Sequence, residues 1–280
     1  MNKIILFGST GRLGREIHNA LSMNDGAKII APTRDIVDLT RDYVIMEFLE
    51  DHAPDMIINA AAMTNVLECE TNLFTMDVNR NAPYIMAEYC KLNNCKLLQI
   101  STNYVFGKIA SQVLNTHCVV QIDTIKEQPF KPQSKYGWSK AYAEMDIQSM
   151  LNSDDYRIVR VQNLYGGTGN NDTIPIRVLR QSKNPPITYS NIRVKPTRVT
   201  PLANAICTLF RCDNSGIVWL RDNTIEHICS NEYLYEKEFI ESVMITCGIK
   251  GKMVLVDNPL RPDVILRPTI TLPGYKSLWE

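Results

Sequence analysis

No apolar run in the sequence approaches 18 residues, so it offers no membrane-spanning helix. The N-terminus enters a strand pattern directly, and no signal peptide is expected. Lys+Arg and Asp+Glu number 30 each, so charge gives no reason to expect a nucleic-acid or acidic-membrane partner. The eight cysteines (69, 90, 95, 118, 207, 212, 229 and 247) form no Cys-x-x-Cys pair, and with only four histidines they give no metal-binding spacing. Cys90 and Cys207 fall in apolar patterns, and the expectation is reduced, buried thiols in a cytoplasmic protein. Internal repeats and low-complexity tracts are absent. What remains is an ordinary globular composition, 45% hydrophobic and 21% charged, long enough at 280 residues for one large or two modest domains.

Residues 3–7 are a short apolar run suited to a buried parallel strand. It leads into Gly8-Ser9-Thr10-Gly11-Arg12-Leu13-Gly14, and Leu13, Ile17 and Leu21 then mark one stripe of a helix. Strand, glycine turn and helix form the setting of a dinucleotide-binding loop. Gly8 permits the tight turn, Gly11 the approach of a pyrophosphate, and Gly14 close helix–strand packing. The helix N-terminus offers N–H groups and positive dipole to phosphates. Thr10, Arg12 and Leu13 belong to the same loop. Residues 27–32 read as the second strand, followed by Thr33, Arg34 and Asp35. An Arg here suits a 2′-phosphate, with Arg12 assisting, and favours NADPH; NADH stays open, and so does a solvated loop Arg. Asp38-Leu39 follows; the glycine spacing resembles the short-chain dehydrogenase/reductase superfamily, in which an Asp-Leu pair here contacts the cofactor's adenine, and Asp38 could equally cap a helix starting near residue 41.

Residues 56–59 form the third strand, ending in Asn59-Ala60-Ala61-Ala62-Met63-Thr64. Small side chains at a carboxyl end let a flat ligand approach the backbone, so Ala60, Ala61, Ala62 and Thr64 join the cofactor candidates. A helix is expected over 72–93, carrying Asn79. Residues 96–101 are the fourth strand, and Thr102 at its end can donate to a carbonyl oxygen beside the cofactor. In Tyr136-Gly137-Trp138-Ser139-Lys140, the i, i+4 spacing puts Tyr136 and Lys140 on one helix face, roughly 5–6 Å apart at Cβ. An ammonium that close favours the phenolate and lowers the Tyr pKa, the condition for proton exchange near neutrality. Residues 156–161 are the next strand, 202–210 a helix, 216–220 a strand returning to the main sheet, 231–247 an amphipathic helix and 253–257 a last strand. Between residues 108 and 133 lies a long loop.

The spacing Gly-x-x-Gly-x-x-Gly with Tyr-x-x-x-Lys downstream resembles the short-chain dehydrogenase/reductase superfamily. Phe7-Gly8-x-x-Gly11-x-Leu13-Gly14, Ile58-Asn59-Ala60-Ala61-Ala62-x-Thr64, Ser101-Thr102-x-Tyr104-Val105-Phe106 and Tyr136-Gly137-x-Ser139-Lys140 come in order. Together they resemble the dTDP-4-dehydrorhamnose reductase family. The resemblance implies a doubly wound parallel α/β sheet of Rossmann type. Residues 1–165 would form the NAD(P)-binding domain, its sheet completed from 200–222, and 166–280 mainly a substrate lobe. It implies NADPH-dependent reduction of the C4 keto group of a nucleotide-linked 4-keto-6-deoxy sugar, with Thr102, Tyr136 and Lys140 catalytic. Asn103 stands where the family has Asp, and Asn163 where it has a Trp lining the sugar pocket; with Tyr104 they are substrate-binding candidates. Arg193 and Arg198 are candidates for substrate phosphates or plain surface arginines. Arg261-Pro262 matches the family's Arg-Pro. A homodimer stays open, and no metal is implied. Two other readings stay open: an epimerase–reductase, and a regulatory subunit like the methionine adenosyltransferase β-subunit, which resembles the same family.

Overall fold

The computed structural model describes all residues except 24–25, 108–120, 123–129, 169–172, 214–215, 231, 259, 262–264, 267–268 and 273–280. Most of the expected 108–133 loop therefore lies outside the described residues. A parallel sheet forms the centre. Its strands are β1 (Asn2–Phe7), β2 (Ala27–Ile30), β3 (Met56–Asn59), β4 (Lys96–Thr102), β5 (Tyr156–Val161), β6 (Ile225–Ser230) and β7 (Ile270–Leu272). In space the order is β7-β6-β5-β4-β3-β1-β2. The chain steps from β1 outward to β2, then back across β1 to β3. That reversal makes a switch point at the carboxyl ends of β1 and β3, where open sheets of this type hold ligands.

The sequence pattern explains the layering. Ile4, Ile5 and Leu6 are fully buried, because both faces of β1 are covered. Each such side chain contributes about 1.5–3 kcal/mol by leaving water. On one face, α1 (Arg12–Ser22) and α7 (Val199–Cys207) pack Leu13, Ile17, Leu202 and Ile206 against Ile4 and Leu6. On the other, α2 (Asp42–His52), α4 (Ala82–Asn93) and α5 (Lys135–Met150) bring Ile45, Met86 and Ile147 onto Ile5 and Ile57. A short helix α3 (Val66–Thr71) follows β3. The helix expected over 72–93 begins with a π-helical turn, Asp77–Asn81, before α4.

The lobe has its own core, in which α6 (Ile174–Gln181) and α8 (Glu236–Thr246) enclose Val178, Val194, Phe239 and Ile240. The expectation for 216–220 is corrected. Gly216–Trp219 pairs antiparallel with Phe210–Asp213 as a separate hairpin. The main sheet is completed from the region assigned to the lobe, by β6 beside β5 and β7 beside β6. Among the described residues, no helix is long and apolar enough to cross a membrane, and the seven described cysteines are free.

Candidate active site

The glycine loop begins where β1 ends. Gly8 has φ +81°, a conformation that L side chains resist. A Cβ on Gly14 would stand 2.0 Å from the Gly8 carbonyl oxygen, so only glycine lets α1 start this close to the turn. Gly11 caps α1 without a side chain, which leaves the first-turn N–H groups to a ligand. Gly8, Thr10, Gly11, Arg12 and Leu13 line a cleft of about 1080 Å³ along the carboxyl edge. Across the switch point, Asn59 holds the alanine run in place. Its Oδ1 accepts from Ala61 N at 3.1 Å, and its Nδ2 donates to Gln99 Oε1 at 2.9 Å. Ala60, Ala61, Ala62 and Thr64 line the cleft.

Arg34, Asp38 and Leu39 reach the same cleft from the β2 end. Asp38 does not cap α2, whose N-cap is Arg41. Its carboxylate accepts from the Thr40 N–H and hydroxyl at 3.0 and 2.8 Å. Asp35 is absent from the cleft lining, and its carboxylate is held by the Thr33 hydroxyl. Arg34 is the cleft-lining cation at that end, and its expected contact with a 2′-phosphate has a direct test. Arg34→Ala is expected to weaken NADPH about tenfold, since a hydrogen bond to a charged group contributes about 1.5–3 kcal/mol. NADH affinity should hold; equal losses for both cofactors in fluorescence titrations would refute this role. Arg12 lines the cleft too. Its Nη1 donates to the Gly166 and Gly167 carbonyls at 2.6 and 3.1 Å, tying the glycine loop to the segment after β5.

Thr102, Tyr136 and Lys140 meet at the middle of the edge. Ser134 caps α5 by accepting from Gly137 N at 3.1 Å. A Cβ on Gly137 would lie 2.4 Å from the Tyr104 carbonyl oxygen, so this glycine lets α5 sit against the turn after Thr102. Thr102 lies beside the Tyr136 hydroxyl. Its Oγ1 accepts from Tyr104 N at 3.2 Å. The expected lowering of the Tyr136 pKa is not found. Burial pushes the phenol well above its ordinary value, opposed only in part by Thr102. Burial also pulls Lys140 down to about 8, while Glu144 one turn further along α5 pulls it back up. Both groups are dry: Tyr136 is 8% exposed and Lys140 2%. Desolvation is the largest cause of both shifts.

Lys140 Nζ is buried with no hydrogen-bond partner among the described residues. A buried ammonium left this way costs free energy unless a ligand accepts from it. With the glycine cradle and Arg34, this orphan fits an NADP-type dinucleotide. Asn79 supports the site from behind. Its side chain accepts from Met63 N at 2.8 Å and donates to the Met63 carbonyl and Ser139 Oγ at 3.0 and 3.1 Å. Ser139 in turn donates to the Tyr136 carbonyl at 2.7 Å. The alanine loop and the tyrosine helix are thereby joined.

The substrate candidates divide. Asn103, Tyr104 and Asn163 line the cleft. Asn163 sits at φ +48°, a backbone region that Asn tolerates and Trp does not. Its side chain accepts from Lys195 N at 3.0 Å. Arg193 and Arg198 are not among the cleft-lining residues. Arg193 lies in a two-residue strand paired with Leu234–Tyr235, and Arg198 is an exposed N-cap of α7 packed over Gly166. Arg177 and Arg180 of α6 and Arg261 from the C-terminal segment line the cleft instead.

A Rossmann sheet with a glycine cradle and a buried threonine–tyrosine–lysine cluster defines a dinucleotide-dependent oxidoreductase of the extended short-chain dehydrogenase/reductase class. The chain belongs to the family of the RmlD substrate binding domain, whose model matches residues 1–260. It is 24% identical over its whole length to the spore coat polysaccharide biosynthesis protein SpsK of Bacillus subtilis, covering 92% of that protein. It is 28% identical over 73% of its length to a dTDP-4-dehydrorhamnose reductase of Streptomyces griseus, covering 64% of that protein. In structure it resembles the dTDP-4-dehydrorhamnose reductase of Bacillus anthracis solved with NADP, at TM-score 0.81 and 22% identity, over 100% of this chain and 98% of that one. It also resembles a UDP-glucose 4-epimerase of Thermus thermophilus solved with NAD, at TM-score 0.76 and 18% identity, over 95% and 90%.

Proposed function

We propose that the protein reduces the C4 keto group of a nucleotide-linked 4-keto-6-deoxy sugar, using NADPH. The observation that carries this reading is the buried Tyr136 and Thr102 side by side with the unpartnered Lys140 ammonium, inside a cleft of about 1080 Å³ that the glycine loop also lines. When bound, NADPH supplies the hydride. Tyr136, kept protonated by burial, donates its proton to the sugar alkoxide. Thr102 donates a hydrogen bond to the same oxygen, stabilising the charge that grows there. Lys140 holds the nicotinamide ribose, and its positive charge offsets the burial that holds Tyr136 neutral once the proton leaves. Arg177 and Arg180 are set to take the substrate's phosphates from the lobe side.

The test is NADPH oxidation with dTDP-4-keto-6-deoxy sugars. Its pH profile carries a second check. The kcat/KM for NADPH, which reports the protein before cofactor binds, is expected to fall as pH rises through about 8, where Lys140 loses its charge. A profile flat to pH 10 would remove Lys140's charge from the mechanism. Absence of turnover, with retained NADPH binding, would turn the reading toward a regulatory subunit.

A further inference from the structure

Two lobe elements and the C-terminal segment converge on one buried carboxylate. Glu236, at the start of α8, is fully buried. Its Oε1 accepts from Arg261 Nη1 at 2.5 Å and from Arg177 Nη2 at 2.6 Å. Its Oε2 accepts from Ser190 N at 2.7 Å. The Arg261 guanidinium, 8% exposed, does not stop there: it also lies beside the Tyr104 side chain, which lines the same cleft. Tyr104 follows Asn103 in the turn after Thr102, and its ring meets the Tyr136 ring edge-on, centroids 5.4 Å apart at 71°. A continuous line of contacts therefore runs Arg177–Glu236–Arg261–Tyr104–Tyr136, from the lobe side of the cleft to the proton donor.

We propose that Arg261 is a positioning residue for the reduction: locked by Glu236, it fixes the Tyr104 hydroxyl and so sets the Tyr136 ring against the reacting carbonyl. This rests on the reductase reading of the site. The chemistry requires such a device. Tyr136 must present its hydroxyl to a substrate whose phosphates the lobe arginines hold, while its own helix belongs to the Rossmann layer. A ring held only by its helix would follow α5; a ring braced through Tyr104 follows the lobe that carries the substrate. Glu236 is suited to anchor the brace because its remaining oxygen is held by a backbone N–H. With two guanidiniums on one oxygen, the pair Glu236–Arg261 stays charge-compensated when Arg177 engages a substrate phosphate. Misplacement of a reacting group by about 1 Å costs up to about 10²-fold in rate, so a brace of this kind acts on kcat.

The experiment is a double-mutant cycle on turnover. Arg261→Met keeps the side-chain length and leaves Glu236 paired with Arg177. Tyr104→Phe removes only the hydroxyl. Each single variant is expected to lower kcat about tenfold with the NADPH dissociation constant unchanged, and the double variant to fall no further than either, because both remove the same link. Arg261→Lys should recover part of the loss. Losses that multiply in the double variant, or a change confined to KM, overturn the inference while leaving the reductase reading in place. If Arg261→Met fails to fold, Tyr104→Phe alone decides: an unchanged kcat overturns the brace, and a tenfold loss with normal thermal stability supports it. A wild-type protein that turns over no 4-keto sugar nucleotide overturns the reading and the brace together.

Discussion

Replacing Tyr136 with Phe is expected to cut NADPH-dependent turnover by about 10²–10⁴-fold, the span that a positioned general acid contributes, while NADPH binding is kept. The geometry isolates the hydroxyl as the only thing lost. The ring stays packed against Tyr104, and α5 keeps its Ser134 cap and the Ser139–Asn79 support. Thr102 Oγ1 keeps its bond from Tyr104 N. What disappears is the buried O–H beside Thr102 that can deliver a proton to the alkoxide. Burial places that phenol well above its ordinary pKa, so it is protonated across the physiological range and is a donor in the direction of reduction. The check is single-turnover oxidation of bound NADPH with a 4-keto sugar nucleotide. A Tyr136→Phe rate within a few-fold of wild type would mean that water or Thr102 supplies the proton and that the mechanism is wrong.

The reach of sequence reasoning followed the range of the interactions involved. β1, β3, β4 and β5 are short runs of apolar residues bounded by turns, and their identity is written locally. β6 is not: in Ile225–Ser230 the buried positions include Glu226, His227 and Ser230. These polar groups fit the core only because distant partners satisfy them. The Thr269 hydroxyl donates to Glu226, and Thr197 Oγ1 accepts from Ser230 N at 3.3 Å. The apolar stretch at 216–219 carried the stronger strand signal and went instead to a hairpin. In the site, Thr102, Tyr136, Lys140 and the glycine loop were legible because fixed spacing on one strand end or one helix face determines their geometry. The lobe arginines were not. Nothing local separates Arg193 and Arg198 from Arg177 and Arg180; only the packing of α6 against α8 brings the latter pair to the cleft. Glu236, which gathers Arg177 and Arg261, gave no signal for the same reason. Glu144 was within reach: it extends the stripe Tyr136, Lys140 by a further four residues on α5, and a carboxylate there must find a cation.

That cation is Arg160, and removing it is expected to be the most destabilising single change at the site. Glu144 is fully buried and Arg160 is 5% exposed. The guanidinium grips the carboxylate through Nε, at 3.1 Å from both oxygens, and through Nη2 at 2.5 Å. Phe106 and Phe130 lie 4.9 and 5.6 Å from its carbon, and His227 Nε2 is 3.4 Å from Nη1. Ser101 donates a further short hydrogen bond to Glu144. Arg160→Met leaves the carboxylate buried with that one hydroxyl and no opposing charge from β5, which costs about 3–5 kcal/mol. Arg160→Met/Glu144→Leu should recover most of the loss, since an apolar pair of similar volume carries no desolvation penalty. Urea unfolding followed by circular dichroism measures both. If the double variant is as unstable as the single one, packing around Phe106 and Phe130, rather than the stranded charge, is the cause. The same variants report on catalysis. Without Arg160, the Glu144 charge acts on Lys140 undiminished and raises its pKa, so the alkaline fall in kcat/KM for NADPH moves above pH 8 in Arg160→Met. In the double variant no carboxylate supports the ammonium, and the fall moves below pH 8. The buried pair behind Lys140 thus sets the pH at which the lysine can serve the ribose and the tyrosine, and opposite shifts from one starting protein are what a purely structural pair would not give.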